Sequence, residues 1–288
     1  MNTLENHKIT KSQNHKITKS QNHKITKSQN HKITKSQNHK ITIFVINLEK
    51  STERRQSIQQ QFEQLPQKID FQFFKAINGK ENPDFYLFAK HNAAKRFKYK
   101  GSKSTLGQLG CFASHYLLWE ECVKLNQPII ILEDDAILHN EFCDVYTFLG
   151  SEENQFEFLW LTPPSPCRRS QKGKFIAKIK NTSNEIQQFY KAWSNTTGYY
   201  ITPKIAKNLL NYTQEWIFDV DITMDRYWEN KIKYLAVTPA CLEPHLFLGS
   251  DIPIDKGKKE RTAIIRLRRE YYSLVDKVNK FIFDLLNK

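Results

Sequence analysis

No apolar run in this chain approaches the roughly 18 residues that a membrane-spanning helix needs, and the N-terminus is polar throughout, without a signal peptide's apolar stretch. Cysteine is sparse and patternless. Cys111, Cys122, Cys143, Cys167 and Cys241 are odd in number and include no C-x-x-C, which excludes a disulfide framework or zinc ribbon and predicts buried thiols in a reducing compartment. A cytoplasmic protein is expected, in which the N-x-S/T triplets at Asn181, Asn195 and Asn211 carry no glycan. Acids are scarce at both ends. Residues 1–42 hold nine lysines against one acid, and residues 256–288 hold ten Lys and Arg against four, which accounts for the whole net charge of +14 and leaves 43–255 neutral. A neutral middle argues against a nucleic-acid-binding core, whose phosphate contacts need Lys and Arg gathered on the folded surface.

The N-terminal segment has nothing to bury. The unit NHKITKSQ recurs from Asn6 to Thr42 with one isoleucine per copy, while ordering the backbone would cost roughly 1–2 kcal/mol per residue. Its eight-residue period fits neither a seven- nor an eleven-residue helical repeat. A disordered tail over 1–42 is expected. The same repeat reads differently as DNA. One eight-base unit, AATCACAA, read continuously for three copies spells Asn-His-Lys-Ile-Thr-Lys-Ser-Gln. Gain or loss of one unit shifts the frame by two bases, so the tail is expected to record a phase-variation switch in the gene and to bind nothing itself.

Residues 43–255 read as the folded domain and 256–288 as a basic amphipathic appendage. ITIFVINL (41–48) is a buried strand, and Ser51 caps a helix with Ile58, Phe62 and Leu65 on one side and Pro66 as its stop. FQFFKAINGK (71–80) is a short strand closing on the turn pair Asn78-Gly79. The basic stretch 81–106 reads as loop with a little helix. Phe112, Tyr116, Trp119 and Val123 mark a packed helix over 110–126, and PIIILEDD (128–135) is a strand running into carboxylates. FEFLWLTP (156–163) adds a strand, and GYYITPKIAKNLL (198–210) a strand, turn and helix. This alternation predicts an α/β fold with a mostly parallel, doubly wound sheet flanked by helices. Near the C-terminus Ile264, Leu267, Tyr271, Leu274, Val278, Phe281 and Leu285 alternate spacings of three and four, the stripe of an amphipathic helix.

Glu133, Asp134 and Asp135 sit where open α/β sheets bind ligands, off the carboxyl end of a strand. Three adjacent carboxylates repel and call for a compensating cation, and Mg²⁺ or Mn²⁺ with oxygen ligands is the natural partner. By spacing alone a solvated turn explains them as well. Asn47, at the end of the first strand, could contact a nucleotide, and Arg54 or Arg55 could reach donor phosphates.

VINLEKSTERR, FKAINGK, LGQLGCFASHYLLWEECVKLNQPIIILEDDAIL, TGYYITPKIAKNLL and DVDITMDRYW, in that order over about 43–252, resemble glycosyltransferase family 25, which builds lipopolysaccharide and lipooligosaccharide. The resemblance implies an A-type nucleotide-sugar glycosyltransferase fold, a metal-bound UDP-sugar, often UDP-galactose, and inversion to a β-linkage on a lipooligosaccharide acceptor. It implies Asp135 as direct metal ligand, Glu133 and Asp134 on metal or ribose, and His245 completing the shell. It aligns Ser114, His115 and Gly198 with the donor pocket, Gly198 otherwise serving close packing. Asp221 is the expected base or sugar contact, with Asp219 second; a helix N-cap is the structural alternative for Asp221. The C-terminal helix is expected to meet an anionic inner membrane, to dock on the domain or to pair in a dimer. A binding module that holds sugar nucleotide without turnover is the competing functional class, disfavoured by the intact acids.

Overall fold

The computed structural model describes residues 39–245 and 262–287. The repeat before residue 39, and the first residues of the basic appendage, lie outside the described residues. In chain order the elements are β1 (Thr42–Asn47), α1 (Thr52–Gln64), β2 (Gln72–Lys75), α2 (Ala93–Lys100), α3 (Leu106–Leu125), β3 (Ile129–Glu133), β4 (Ala136–Leu138), α4 (Phe142–Leu149), β5 (Phe158–Trp160), β6 (Lys174–Lys178), β7 (Glu185–Gln188), β8 (Gly198–Ile201), α5 (Pro203–Tyr212), α6 (Val220–Met224), α7 (Tyr227–Asn230), β9 (Leu235–Thr238), β10 (Leu242–Pro244) and α8 (Ala263–Leu286).

An eight-stranded sheet in the order β2-β1-β3-β8-β5-β9-β7-β6 forms the centre. Strands β2, β1, β3, β5, β9 and β6 run one way, and β8 and β7 run against them. The expected α/β architecture with a largely parallel sheet is present. Its antiparallel members were not expected: β8 slots between β3 and β5, and β7 joins β9 to the edge strand β6. An apolar run such as GYYI specifies burial but not direction, which depends on where its connections enter the sheet.

The period of two along each strand divides the core between the two faces. Phe44, Ile46, Ile129, Ile131, Phe158, Trp160, Tyr199 and Ile201 turn to the face covered by α3 and α5. Ile43, Val45, Ile130, Leu132, Leu159 and Tyr200 turn to the other, under α1 and α4. Helix α3 begins in a reciprocal capping box: Gln108 N–H donates to Thr105 Oγ1 (3.2 Å) and Thr105 N–H to Gln108 Oε1 (2.8 Å). Ser51 occupies the N-cap of α1 without a side-chain capping bond. All five cysteines are free; Cys122, Cys143 and Cys241 are buried as expected, Cys111 is half-buried, and Cys167 is exposed. Among the described residues no helix is long and apolar enough to cross a membrane.

Two features position the cleft described below. A two-stranded antiparallel sheet, β10 with β4, pairs Pro244 with Ala136 and carries residue 245 back to the end of β3. Gly110, in α3, lets the helix lie directly on the loop after β2, where a Cβ would collide with the Ile77 carbonyl oxygen. That obstacle is backbone and cannot swing aside. Gly110→Ala is expected to destabilise the domain by about 1–3 kcal/mol, read as a lower denaturant midpoint with an unchanged slope.

Candidate active site

The carboxyl ends of β1 and β3, the loop after β2 and the first turns of α3 enclose a cleft. Ile46, Arg54, Asn78, Lys80, Cys111, Ser114, His115 and all three acids of the Glu133–Asp135 run are among the residues that line it. The strand ends thus bring together residues from four sequence segments, as the position of the acids in an α/β sheet predicts.

Each acid has its own environment. Asp134 is buried, receiving Asn47 Nδ2 at 2.7 Å on one oxygen and Arg54 Nη1 at 3.2 Å on the other. Burial outweighs these contacts and lifts its carboxyl above the usual range. Glu133 Oε1 meets His115 Nε2 at 3.2 Å and accepts from Thr196 Oγ1 at 2.6 Å. Burial opposes its charge, but these bonds and the Arg54 charge prevail and hold it below the usual carboxylate range. Asp135 Oδ1 is buried without a hydrogen-bond partner among the described residues. Burial together with the charge on Glu133 outweighs the Arg54 charge and pushes its carboxyl up to about 7.

Behind Glu133 runs a relay of buried donors. Trp119 Nε1–H, which can only donate, gives to Tyr199 Oη at 2.9 Å, and Tyr199 Oη lies 2.9 Å from His115 Nδ1. The arrangement that satisfies every donor sends the Tyr199 proton to Nδ1 and leaves Nε2–H to donate to Glu133. His115 is therefore fully buried behind the acid, and reaches the cleft through it. Ser114 is also buried, donating to the Gly110 carbonyl and accepting from Ile77 N–H, both at 2.9 Å. It ties the loop after β2 to α3 and shapes the wall.

Asp219 and Asp221 stand at the start of α6. The charges of Glu133, Asp135, Asp219 and Asp221 all act on the Cys111 thiol, which burial and these neighbours push up. Both acidic groups thus act on Cys111, although some 85 residues separate them in the chain. Asp219, rather than Asp221, holds the N-cap position, and it makes no capping bond. Its Oδ2 accepts from the buried Arg96 at 3.1 Å. Asp221, in the first turn, is raised to about 6 by burial and by the charges of Asp219 and Asp225.

The remaining expected residues divide. His245 comes beside Asp135, its N–H donating to the Asp135 carbonyl at 2.8 Å. Arg55 stacks on Phe73, 3.8 Å from the ring centroid, and its Nη1 lies 3.4 Å from Asn47 Oδ1, so it braces the floor of the cleft. Gly198 does not line the cleft; a Cβ there would come within 2.6 Å of Leu242 and 3.1 Å of Leu132, which makes its role core packing between β3 and β10. Several participants were not expected. Lys50 and Lys80 flank the cleft opening, and Lys80 follows the Asn78-Gly79 turn that could have flagged it. Thr196, Tyr199 and Arg96 carried no spacing signal.

A divalent cation fits the donor set at Asp135, where a buried carboxylate oxygen lacks any partner among the described residues, with Glu133 alongside. Ligand atoms of Cys111, His115 and Glu133 also lie within 4.8 Å of one another. That trio fits less well: His115 and Glu133 are bonded to each other, and the Cys111 thiol is held in its neutral form.

Comparison with known proteins follows the same outline. An Aedes aegypti glycosyltransferase 25 family member is 37% identical over 97 residues, 32% of this chain and 16% of that protein. Human procollagen galactosyltransferase 2 is 26% identical over 172 residues, 58% of this chain and 27% of its own. The chain thus spans about a quarter or less of these animal relatives. Lipooligosaccharide biosynthesis protein lic2B of Haemophilus influenzae is 24% identical over 249 residues, covering 79% of this chain and 85% of that one. Among solved structures, the inositol-1-phosphate CTP transferase from T. maritima aligns over 82% of this chain and 97% of its own, with a TM-score of 0.39 and 9% identity. The model of glycosyltransferase family 25 (LPS biosynthesis protein) matches residues 40–224, from β1 through α6 and across both acidic groups, and the chain belongs to that family.

Proposed function

We propose that the protein is a metal-dependent inverting glycosyltransferase that moves galactose from UDP-galactose onto a lipooligosaccharide sugar in a β-linkage. The observation that carries this reading is the pair of differently held acidic groups that both act on Cys111 in the wall of the cleft, Glu133 to Asp135 lining the cleft and Asp219 with Asp221 at the start of α6. Galactose as the donor sugar is supported by the procollagen galactosyltransferases among the relatives, and the acceptor class by lic2B.

Asp135, Glu133 and His245 would hold Mn²⁺ or Mg²⁺, which when bound offsets negative charge on the departing diphosphate. Asp134, held by Asn47 and Arg54, keeps the floor in shape. Lys50 and Lys80 stand at the opening, where donor phosphates would pass. Asp221 removes the proton from the attacking acceptor hydroxyl. It suits that role better than Asp219 because the Arg96 ion pair occupies Asp219, while Asp221 is raised to about 6, close to working pH. Upstream, the octapeptide repeat records a frame-switching tract.

Asp135→Asn is expected to abolish UDP release from UDP-galactose while the fold and thermal midpoint are retained. Turnover that survives this change at wild-type rate would remove Asp135 from the site. Because the base must be ionised, kcat/KM should fall as pH drops through about 6. Asp221→Asn should lower kcat by about 10²–10⁴-fold and erase that limb, whereas the same result from Asp219→Asn alone would exchange the two roles. For the repeat, sequencing the gene from many sister colonies should find eight-base gains and losses; codons without an eight-base period would refute the switch.

A further inference from the structure

Helix α8 is mounted with a mixed side inward, charged side chains interleaved with Ile265, Tyr272 and Phe283. Arg226 from α7 binds Asp276 through both terminal nitrogens, at 2.7 and 2.6 Å, and Tyr227 donates to Asp284 at 2.6 Å. Phe283 joins the core beside them, and Ile265 and Arg269 lie over Gly101 at the end of α2. These contacts fix α8 to the domain by the side opposite its apolar stripe. The stripe faces outward over the whole helix, from 48% exposed at Val278 to 76% at Ile264 and Leu267. Ile282 and Leu286, at 50% and 79%, widen it. A helix of this length presents about 36 Å of apolar surface, far beyond the isolated exposed leucine that needs no explanation.

We propose that α8 lays this stripe on an anionic bilayer surface, so that the domain is held there by its edge. The charge around the stripe complements anionic headgroups. Arg266 and Lys277 are exposed beside it, and from α2 the exposed Lys98 reaches over the Tyr272 ring. In sequence, Lys256, Lys258, Lys259 and Arg261 precede the helix. Such a combination of bulky apolar side chains with flanking Lys and Arg is what interfacial helices use.

A second copy of the chain suits the surface less well. Tyr271 and Phe281 fall at seam positions that a two-stranded coil fills with Ile, Val and Leu, while aromatic rings are at home at headgroup level. In a parallel pair Glu270 would face Val275 and Lys277 would face Ile282, leaving no opposite charges to select the partner. The location also suits a lipid-anchored acceptor. The stripe begins over α2, whose Lys100 and Arg96 neighbour Asp219 and Asp221, so the bilayer would run beside the reacting acids. This last point rests on the proposed transferase reading; attachment to lipid does not.

The test is flotation of the full chain with vesicles of phosphatidylcholine alone or mixed with phosphatidylglycerol, alongside sedimentation equilibrium without lipid. The wild type should float with the mixed vesicles only and be released by salt. Leu267→Ser, Leu274→Ser and Phe281→Ser together should lower partitioning by roughly 100-fold or more. Arg266→Glu with Lys277→Glu should lower it about tenfold or more. All five positions are exposed, so both variants should keep the wild-type circular dichroism and thermal midpoint. A wild type that stays in the aqueous fraction with both vesicles overturns the proposal. So does a solution dimer that the triple variant converts to monomer without any vesicle binding, because the stripe's occupant is then a second copy. Neither result touches the donor chemistry, which UDP release measures separately.

Discussion

Three carboxylates in succession at the end of a buried strand are unfavourable unless each is held in a different way, and the architecture around β3 supplies those differences. Asp134 is gripped by Asn47 and Arg54. Glu133 is supported by His115 and Thr196. Asp135 is left with a buried oxygen that nothing among the described residues satisfies. Hydrogen bonds and a guanidinium stabilise the first two charges within the cleft; the third is kept in a state that only a cation or a proton relieves. The partners come from the end of β1, from α1, from α3 and from the approach to β8, so assembly of the sheet and its helices is what makes the site.

The opposing acids show the same division of labour. Asp219 has Arg96 as its ion-pair partner, and Asp221 is half-buried among its neighbours' charges with no cation bonded to it among the described residues. Polar groups buried in this way are costly to the fold. The aromatic core that offsets the cost, with Trp119, Trp160, Trp216 and Tyr199 packed on one face of the sheet, also carries the relay that orients His115. Stability and site geometry therefore share residues on this face, whereas the opposite face under α1 and α4 packs aliphatic side chains with Phe62, Phe142 and Tyr200.

Helix α8 reverses the usual logic of amphipathic helices. Its ion pairs together with Ile265, Tyr272 and Phe283 make the contact with the domain, and the residues of its apolar stripe face outward. A fold seldom leaves that much apolar surface uncovered without a use for it.

The sequence by itself determined where the strands and helices of the parallel half lie, because ITIFVINL, PIIILEDD and the aromatic positions of α3 carry their periodicity in local order. It also marked Glu133, Asp134 and Asp135 as the end of a strand, and the neutral balance of the domain. The antiparallel entry of β8, the edge strand β6 with its neighbour β7 and the direction in which the α8 stripe points were not legible, because each depends on which surface is already occupied when the element packs. The same holds for Thr196, Tyr199 and Arg96, ordinary residues whose roles arise from partners 63 to 123 positions away: Tyr199 works through Trp119, Thr196 through Glu133, Arg96 through Asp219. Local pattern fixes periodicity and burial over a few residues; only tertiary structure decides which buried charge meets which donor, since that pairing is made through space across the sheet.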